Sequence, residues 1–493
     1  MRRIAIAGYL AVSLSACYVG PRGATVVSYS ATTEDKRLIV PITTRSEEAR
    51  SLYLQGRALT EQLRAHDGHV LFQQAIAKDP TFALAQYSLA LTAPNRREFF
   101  QHLVAAVGLV DKASLGERLL ILSLQAGANA DPTRARQYAE SLSAGYTQDE
   151  RAHWVLGNAY FAQQQYDRAI GEYRRAIELN PRYSPAYNSL GYAYRPSGRT
   201  AEAEKAFLDY IALVPNDPNP YDSYAELLMK MGRFHASIVE YQKALSIDPH
   251  FGGSYVGIAS NYMFAGQPDS AIAEARRYYD GARDDGERRT ALLSEALTYV
   301  DDGATDRALL TMDRSYEIAR ALGDTASMSA DLVAAADILL DAGRVDAAQV
   351  RYQLARDLVA ASSLSADVKQ DNELAAHYNT ARVAVAAHDL AKARMDADTY
   401  LMGAAAKGND VRVRQAHELN GLLSLEQKRF DGSLEELMQA DQQNPAVLDA
   451  MARAYRGKGD IARADDLSAR ALNMYTLPAL PYAFIRARAK HMM

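Results

Sequence analysis

The chain has 493 residues, a formal net charge of −5, 23% charged and 48% hydrophobic side chains, and one cysteine. The mildly acidic balance argues against a nucleic-acid partner, since that binding draws on clustered lysine and arginine. One cysteine, at position 17, excludes an intrachain disulfide framework, thiol catalysis and cysteine-based metal sites.

The chain opens Met1-Arg2-Arg3, continues as an apolar run from Ile4 to Leu14, and reaches Leu14-Ser15-Ala16-Cys17. A basic start, a short apolar core and small residues before a cleavage point make 1–17 an export signal, too short to span a membrane. The Leu-Ser-Ala-Cys ending resembles the bacterial lipobox. That resemblance implies that Cys17 is lipidated, becomes the new N-terminus and is the membrane attachment. Tyr18 stands where an aspartate would signal inner-membrane retention in enteric bacteria, which favours the outer membrane, facing the periplasm. No other apolar run approaches the ~18 residues of a membrane helix. Residues 18–45 read as a flexible tether, with Gly20-Pro21-Arg22-Gly23, Thr/Ser-rich alternation and Val40-Pro41 but no helical period.

From Ser46 the pattern is helical. Ser46 or Thr44 supplies a cap, and Leu54-Gln55-Gly56 through Ala75, Pro80 and Ala85 forms a degenerate repeat. The period is masked between 83 and 149, where Ser114-x-x-Glu117 forms a capping box and Pro132 lies near another helix start.

Between 150 and 283 one phrase returns at an offset of 34 residues: Leu156-Gly157-x-x-Tyr160, Leu190-Gly191-x-x-Tyr194, Tyr224-Ala225, Ile258-Ala259-x-x-Tyr262. A small residue (Ala169, Ala203, Ser237, Ala271), an aromatic (Tyr173, Phe207, Tyr241) and a proline (Pro181, Pro215, Pro249) keep the same offset. Two apolar runs of helical period, separated by a polar turn and stopped by proline, predict a helical hairpin per repeat. One hairpin cannot bury its apolar face alone, but a stack of them can. A glycine returning in mid-helix, against a cost of about 0.5–1 kcal/mol, points to close helix packing.

These residues resemble the tetratricopeptide repeat pattern W-x2-L-G-x2-Y…A-x3-F…P over four consecutive repeats. Trp154 departs by one place, and Ala275 stands where an aromatic is expected. The resemblance implies an all-α fold, a right-handed α-solenoid of about twelve stacked helix-turn-helix hairpins. Residues 46–149 are then degenerate N-terminal repeats, 150–283 the four clear ones, and 284–475 degenerate or longer ones. The last segment, 476–493, reads as a C-terminal capping helix. In 284–475 the pairs Ala291–Val300 with Asp306–Ile318, Ala330–Leu340 with Val345–Val359, and Asn372–Ala387 with Leu390–Met402 repeat at a looser spacing.

No catalytic constellation stands out. His417-Glu418 lacks the second histidine of a zinc-binding helix, and Gly252-Gly253-Ser254 lacks the last glycine of a nucleophile elbow. Gly457-Lys458-Gly459 has no phosphate-loop spacing, and His66-Asp67-Gly68-His69 has too few ligands for a metal. No cofactor or metal is implied. In the repeat family the first helix of each hairpin lines a concave groove. Carried over, the partner-binding groove comprises Trp154, Asn158, Phe161, Asn188, Tyr192, Arg195, Asp222, Glu226 and Lys230, continuing through Met229, Val256, Ser260 and Phe264. Aromatic and arginine side chains there are good anchors for a protein or peptide. Asn158 matches the asparagine of the family's carboxylate clamp, but Trp154 occupies the lysine's place. Thirty tyrosines against eleven phenylalanines add polar-tipped rings to the repeat core and to such a groove. The expectation is a non-catalytic, lipid-anchored scaffold binding protein or peptide partners in the cell envelope. One alternative is a glycan- or small-ligand-binding lipoprotein of nutrient uptake, which would need long irregular insertions. The other is an enzyme with a helical-toroid site, which would need His, Tyr and Arg clustered in one groove.

Overall fold

The computed structural model describes residues 39–492 apart from 63 and 478. The export signal, Cys17 and residues 18–38 of the tether lie outside the described residues. All regular structure among the described residues is helical. The chain divides into two compact units, residues up to 223 with 364–368, and 224–363 with 369–493. Each is an α-solenoid of antiparallel hairpins.

The first unit contains five hairpins: α1 (Glu47–Glu61) with α2 (Ala65–Lys78), α3 (Ala83–Thr92) with α4 (Arg96–Gly108), α5 (Leu115–Ala128) with α6 (Pro132–Gly145), α7 (Glu150–Ala162) with α8 (Tyr166–Leu179), and α9 (Ser184–Tyr194) with α10 (Thr200–Leu213). Their starts follow local chemistry. Ser46 caps α1, Ser114 and Glu117 form a reciprocal capping box on α5, and Pro132 opens α6. The stretch just before α1 is not a tether. Val40 is buried beside Leu142, Tyr146 and Ala152, and its amide donates to Asp149 Oδ2 at 2.8 Å. The Thr43 amide donates to Glu117 Oε1 at 2.7 Å, and Thr44 Oγ1 to Asp79 Oδ2 at 2.6 Å. Buried carboxylates on three hairpins demand donors, and 40–44 supplies them, so the tether expected over 18–45 does not include 40–44.

The division between the units falls inside α11 (Pro218–Lys230). The second unit continues with α12 (Phe234–Ile247), α13 (Gly252–Phe264), α14 (Pro268–Asp280), α15 (Asp285–Asp301), α16 (Thr305–Ala321), α17 (Thr325–Asp341) and α18 (Val345–Ala361). Then come α19 (Ala366–Ala386), α20 (Leu390–Ala406), α21 (Asp410–Glu426), α22 (Phe430–Leu437), α23 (Pro445–Gly457), α24 (Ile461–Leu472) and α25 (Leu480–Met492). Helices α15 to α18 have 17 residues each against 13 in α7 and 14 in α8, which is why the spacing loosens beyond 283. The longer hairpins are tied by buried ion pairs, Arg289 to Asp331 at 2.8 Å and Arg412 to Asp371 at 2.5 and 2.7 Å.

Within a hairpin the repeated glycine does what its recurrence implied. A Cβ on Gly157 would lie 2.5 Å from the Tyr173 ring, and one on Gly191 2.5 Å from Phe207. The aromatic of the second helix fills the notch left by the glycine of the first. The turns between paired helices need a left-handed residue, supplied by Gly198, Gly232 and Gly266 at the same 34-residue offset and by Gln164 (φ 60°) one repeat earlier. Gly191→Ala should therefore lower stability by about 1–3 kcal/mol through overpacking. Gln164→Gly should raise it by up to about 1 kcal/mol by removing the left-handed penalty. Chemical denaturation followed by far-ultraviolet circular dichroism reads both, and a Gly191→Ala midpoint equal to the parent's contradicts the notch.

Candidate partner-binding surfaces

Neighbouring hairpins meet mainly where the second helix of one packs on the first helix of the next, and their first helices also touch each other. α1 touches α3, α3 touches α5, α7 touches α9, α13 touches α15 and α21 touches α23. No two second helices meet to that extent among the described residues. The first helices therefore form the inner side of each stack, where a partner would be gripped.

In the first unit, the expected groove residues are engaged in holding that stack. Trp154 is half-buried, donates from Nε1 to Ser189 Oγ at 2.9 Å, and stands edge-on to Tyr183 at 6.3 Å between centroids. Asn158 Oδ1 accepts from the Tyr173 hydroxyl at 2.8 Å, and Phe161 packs edge-on to Tyr166. Tyr192 and Arg195 are each 8% exposed, with the guanidinium 4.9 Å from the ring centroid. Asn188 and Asp222 are half-buried, and Asn188 Oδ1 is buried without a hydrogen-bond partner. The side chains expected as free anchors are thus largely wedges and caps. The remaining two, Glu226 and Lys230, belong to the second unit, where Glu226 is buried and Lys230 half-buried. Both ring nitrogens of His69 lie within hydrogen-bond distance of neighbours, Thr92 at 3.0 Å and Gln73 at 3.1 Å.

In the second unit, the chain covers part of its own inner side. The segment after α24 returns to the unit's first hairpins, where the Tyr475 ring sits edge-on to Phe234 and Phe264, at 4.9 and 5.3 Å between centroids. Leu477 packs beside Met229, Met263 and Tyr262. Helix α25 then runs along α15, α17, α23 and α24. The C-terminal helix thus packs on the last hairpin and reaches beyond it to α15 and α17. Its apolar residues find deeper burial inside, Ala483 and Phe484 against Ala296, Val300 and Ile338, and Ile485 with Leu467 and Ala471. The same segment explains why Met229 and Phe264, expected in an open groove, are 0% and 6% exposed.

Charge reinforces this placement. Arg486 donates from Nε to Asp301 Oδ1 at 2.7 Å, and its guanidinium lies 5.1 Å from the Phe264 centroid. It also donates at 3.4 Å to the carbonyls of Met263 and Phe264 at the C-terminal end of α13, where the helix dipole favours a cation. Arg488 pairs with Asp341 and lies 3.7 Å from Asp449. Burial lifts the Asp341 carboxyl above the ordinary carboxylate range. The Tyr482 hydroxyl donates to the carbonyl of Gln443 at 3.0 Å.

Elsewhere in this unit, Arg382 and the Tyr352 hydroxyl both donate to Asp337 Oδ1 at 2.5 Å. Glu418 accepts from Asn444 Nδ2 at 3.3 Å, and burial raises its carboxyl to about 7. Among the described residues no group of three or more His, Cys, Asp and Glu is arranged to hold a metal. No described helix is long and apolar enough to cross a membrane.

A TPR repeat model matches residues 157–198, and a tetratricopeptide repeat model matches 184–217 and 219–251. The chain is a tetratricopeptide-repeat protein, an all-α solenoid of that family. It is 29% identical over 103 residues to a UDP-N-acetylglucosamine–peptide N-acetylglucosaminyltransferase of Giardia intestinalis, covering 21% of this chain and 7% of that one. It is 29% identical over 93 residues to Hsp70-Hsp90 organizing protein 3 of Arabidopsis thaliana, covering 19% and 17%. A solved tetratricopeptide repeat protein from Parabacteroides merdae aligns over 55% of this chain and 94% of its own at 14% identity, with a TM-score of 0.36. The chain spans less than a fifth of the length of these two curated relatives.

Two expectations follow from the geometry. Trp154→Ala should lower the stability of the first unit by about 1–3 kcal/mol, since it removes a wedge between hairpins. An unchanged denaturation midpoint would mean that the ring serves only as a surface anchor. Between the ordinary carboxyl value of 4.5 and about 7, the folded chain holds a proton on Glu418 that the unfolded chain releases. The stability from this group is fully present below the lower value and is lost as pH rises through the upper one. Glu418→Gln should therefore stabilise by about 1–3 kcal/mol at pH 8, with the advantage fading toward pH 5. A gain independent of pH contradicts this.

Proposed function

We propose that this protein is a non-catalytic scaffold of the bacterial cell envelope, anchored by lipid on Cys17 at the outer membrane and gripping protein or peptide partners in the periplasm. The observation that carries the reading is the segregation of side chains in an array of tetratricopeptide repeats. On this reading a partner meets several first helices at once, where side chains that are only half-buried, such as Trp154 and Asn188, remain within its reach. Such a surface combines large rigid contact area with charge pairing, the chemistry of protein hot spots. The organizing-protein name of the Arabidopsis relative is in keeping with this role. The lipid anchor rests on the Leu-Ser-Ala-Cys ending and on the placement of the chain's one cysteine there.

The anchor and the scaffold are tested separately. Cells fed an alkyne fatty acid should yield labelled protein in the outer-membrane fraction, and Cys17→Ser should be unlabelled and leave that fraction. Equal labelling of both forms overturns the anchor. Crosslinking in intact cells should retain a defined protein with the parent, and Asn188→Arg, which fills the inner side of the first unit, should weaken a partner bound there. Recovery of no protein by the parent overturns the scaffold.

A further inference from the structure

We propose that His69 and His102 form an acid-sensitive joint between the first two hairpins, which holds α2 against α3 and α4 while both rings are neutral and loosens them when both are charged. The inference goes beyond the scaffold reading and does not depend on it.

His69 belongs to the His66-Asp67-Gly68-His69 stretch, which has too few ligands for a metal. Helix α2 brings it against the end of α3, where it is 8% exposed, and the His102 ring of α4 stands edge-on to it at 6.2 Å between centroids. The hydrogen bonds around the pair suit neutral imidazoles. Thr92 Oγ1 donates to the carbonyl of Ser88 at 2.8 Å, so it accepts from His69 Nδ1, 3.0 Å away. The proton of His69 therefore sits on Nδ1 and leaves a lone pair on Nε2. The Gln73 amide nitrogen, a donor, lies 3.1 Å from that lone pair. A second proton, on Nε2, would set two donors face to face until the exposed Gln73 amide turned over. His102 Nδ1 lies 2.9 Å from Gln86 Oε1 on α3, an acceptor, so its proton sits on that side.

The surrounding charges decide the response to acid. Glu98, one turn before His102 on α4, attracts a charged imidazole, and His66 on α2 repels one. Arg96 and Arg97 lie beside Glu98 at the start of α4. Helix α3 carries no charged side chain, and burial pushes its Tyr87 hydroxyl above the ordinary range, as it does Tyr53 on α1. Helix α1 presents Arg57 and Glu61, 3.6 Å apart, and α5 presents Glu117 and Arg118, which engage Thr43 and Asp111. Burial outweighs the attraction of Glu98, so both imidazoles take up a proton only below the ordinary histidine value of 6.5. An opened joint binds those protons more readily than a closed one. Its stability is therefore fully present above 6.5 and is lost as pH falls through the lowered values. Two charged rings this close also repel, so the second proton resists entry until the rings part. Separation of α3 and α4 from α2 relieves both costs at once.

Hydrogen exchange read by mass spectrometry on the full chain carrying Cys17→Ser, at about pH 7.5 and about pH 5 and corrected for the intrinsic rate, tests the joint. In the parent, opening of α2, α3 and α4 should rise by about tenfold or more in acid, while α9 changes little. His102→Gln, which removes one charge, should lose most of that rise. His69→Asn, which keeps a donor for Thr92, should do the same. His153→Gln, on α7 beside Glu172, should retain it. The absence of an acid response in the parent overturns the proposal. So does a response that both joint substitutions leave intact, or one that His153→Gln abolishes equally. Each joint variant guards against the other failing to fold at neutral pH. If neither folds, the rings are fixed parts of the core and the proposal falls.

Discussion

Everything in this molecule depends on one helical hairpin being unable to bury its own apolar surface. Each pair of helices meets through a small residue on the first and a large ring on the second, as at Gly191 and Phe207. That leaves the outer faces of the pair to be covered by the next one. Trp154 shows the second contact, reaching out of α7 to Ser189 and Tyr183 of the following hairpin. Nearest-neighbour packing of this kind propagates along the chain without a central core. It also forces aromatic and polar side chains of the first helices into structural service, which leaves fewer of them free for a ligand than their positions alone imply.

In the second unit the chain turns back against its own stack. A stack that stops exposes the apolar face of its last pair, which repeat proteins ordinarily cover with a polar-faced helix. Here the segment beyond α24 carries Tyr475 to Phe234 and Phe264 and then lays α25 along the inner wall. Buried Asp301 and the carbonyls ending α13 take the Arg486 guanidinium, so charge and apolar burial act on one helix together. The inner side of this unit is a surface already shown to accommodate a helix, and the chain's own is in place.

Much of the fold was legible in the sequence because it is periodic. The returning glycine, tyrosine and proline marked helix pairs, and the Ser114–Glu117 box and Pro132 marked helix starts where the period was masked. The turn glycines 198, 232 and 266 carried the same offset and were a further signal of it. What escaped is aperiodic and long-range. Nothing in local pattern links Arg486 to Asp301, which lie 185 residues apart, or Val40 to Asp149, 109 apart. The candidate site suffered for the same reason. Family positions name residues along the first helices, but whether Met229 or Phe264 is open there depends on a segment from the far end of the chain.

Helix α25 is seated on the inner wall of the second unit. Native-state hydrogen exchange read by mass spectrometry on the intact chain tests it most directly. Amides of residues 480–489 should be protected comparably to those of α15, and Asp301→Asn should speed their exchange while leaving α7 and α9 unchanged. Exchange of 480–489 at the rate of a free peptide would contradict the account.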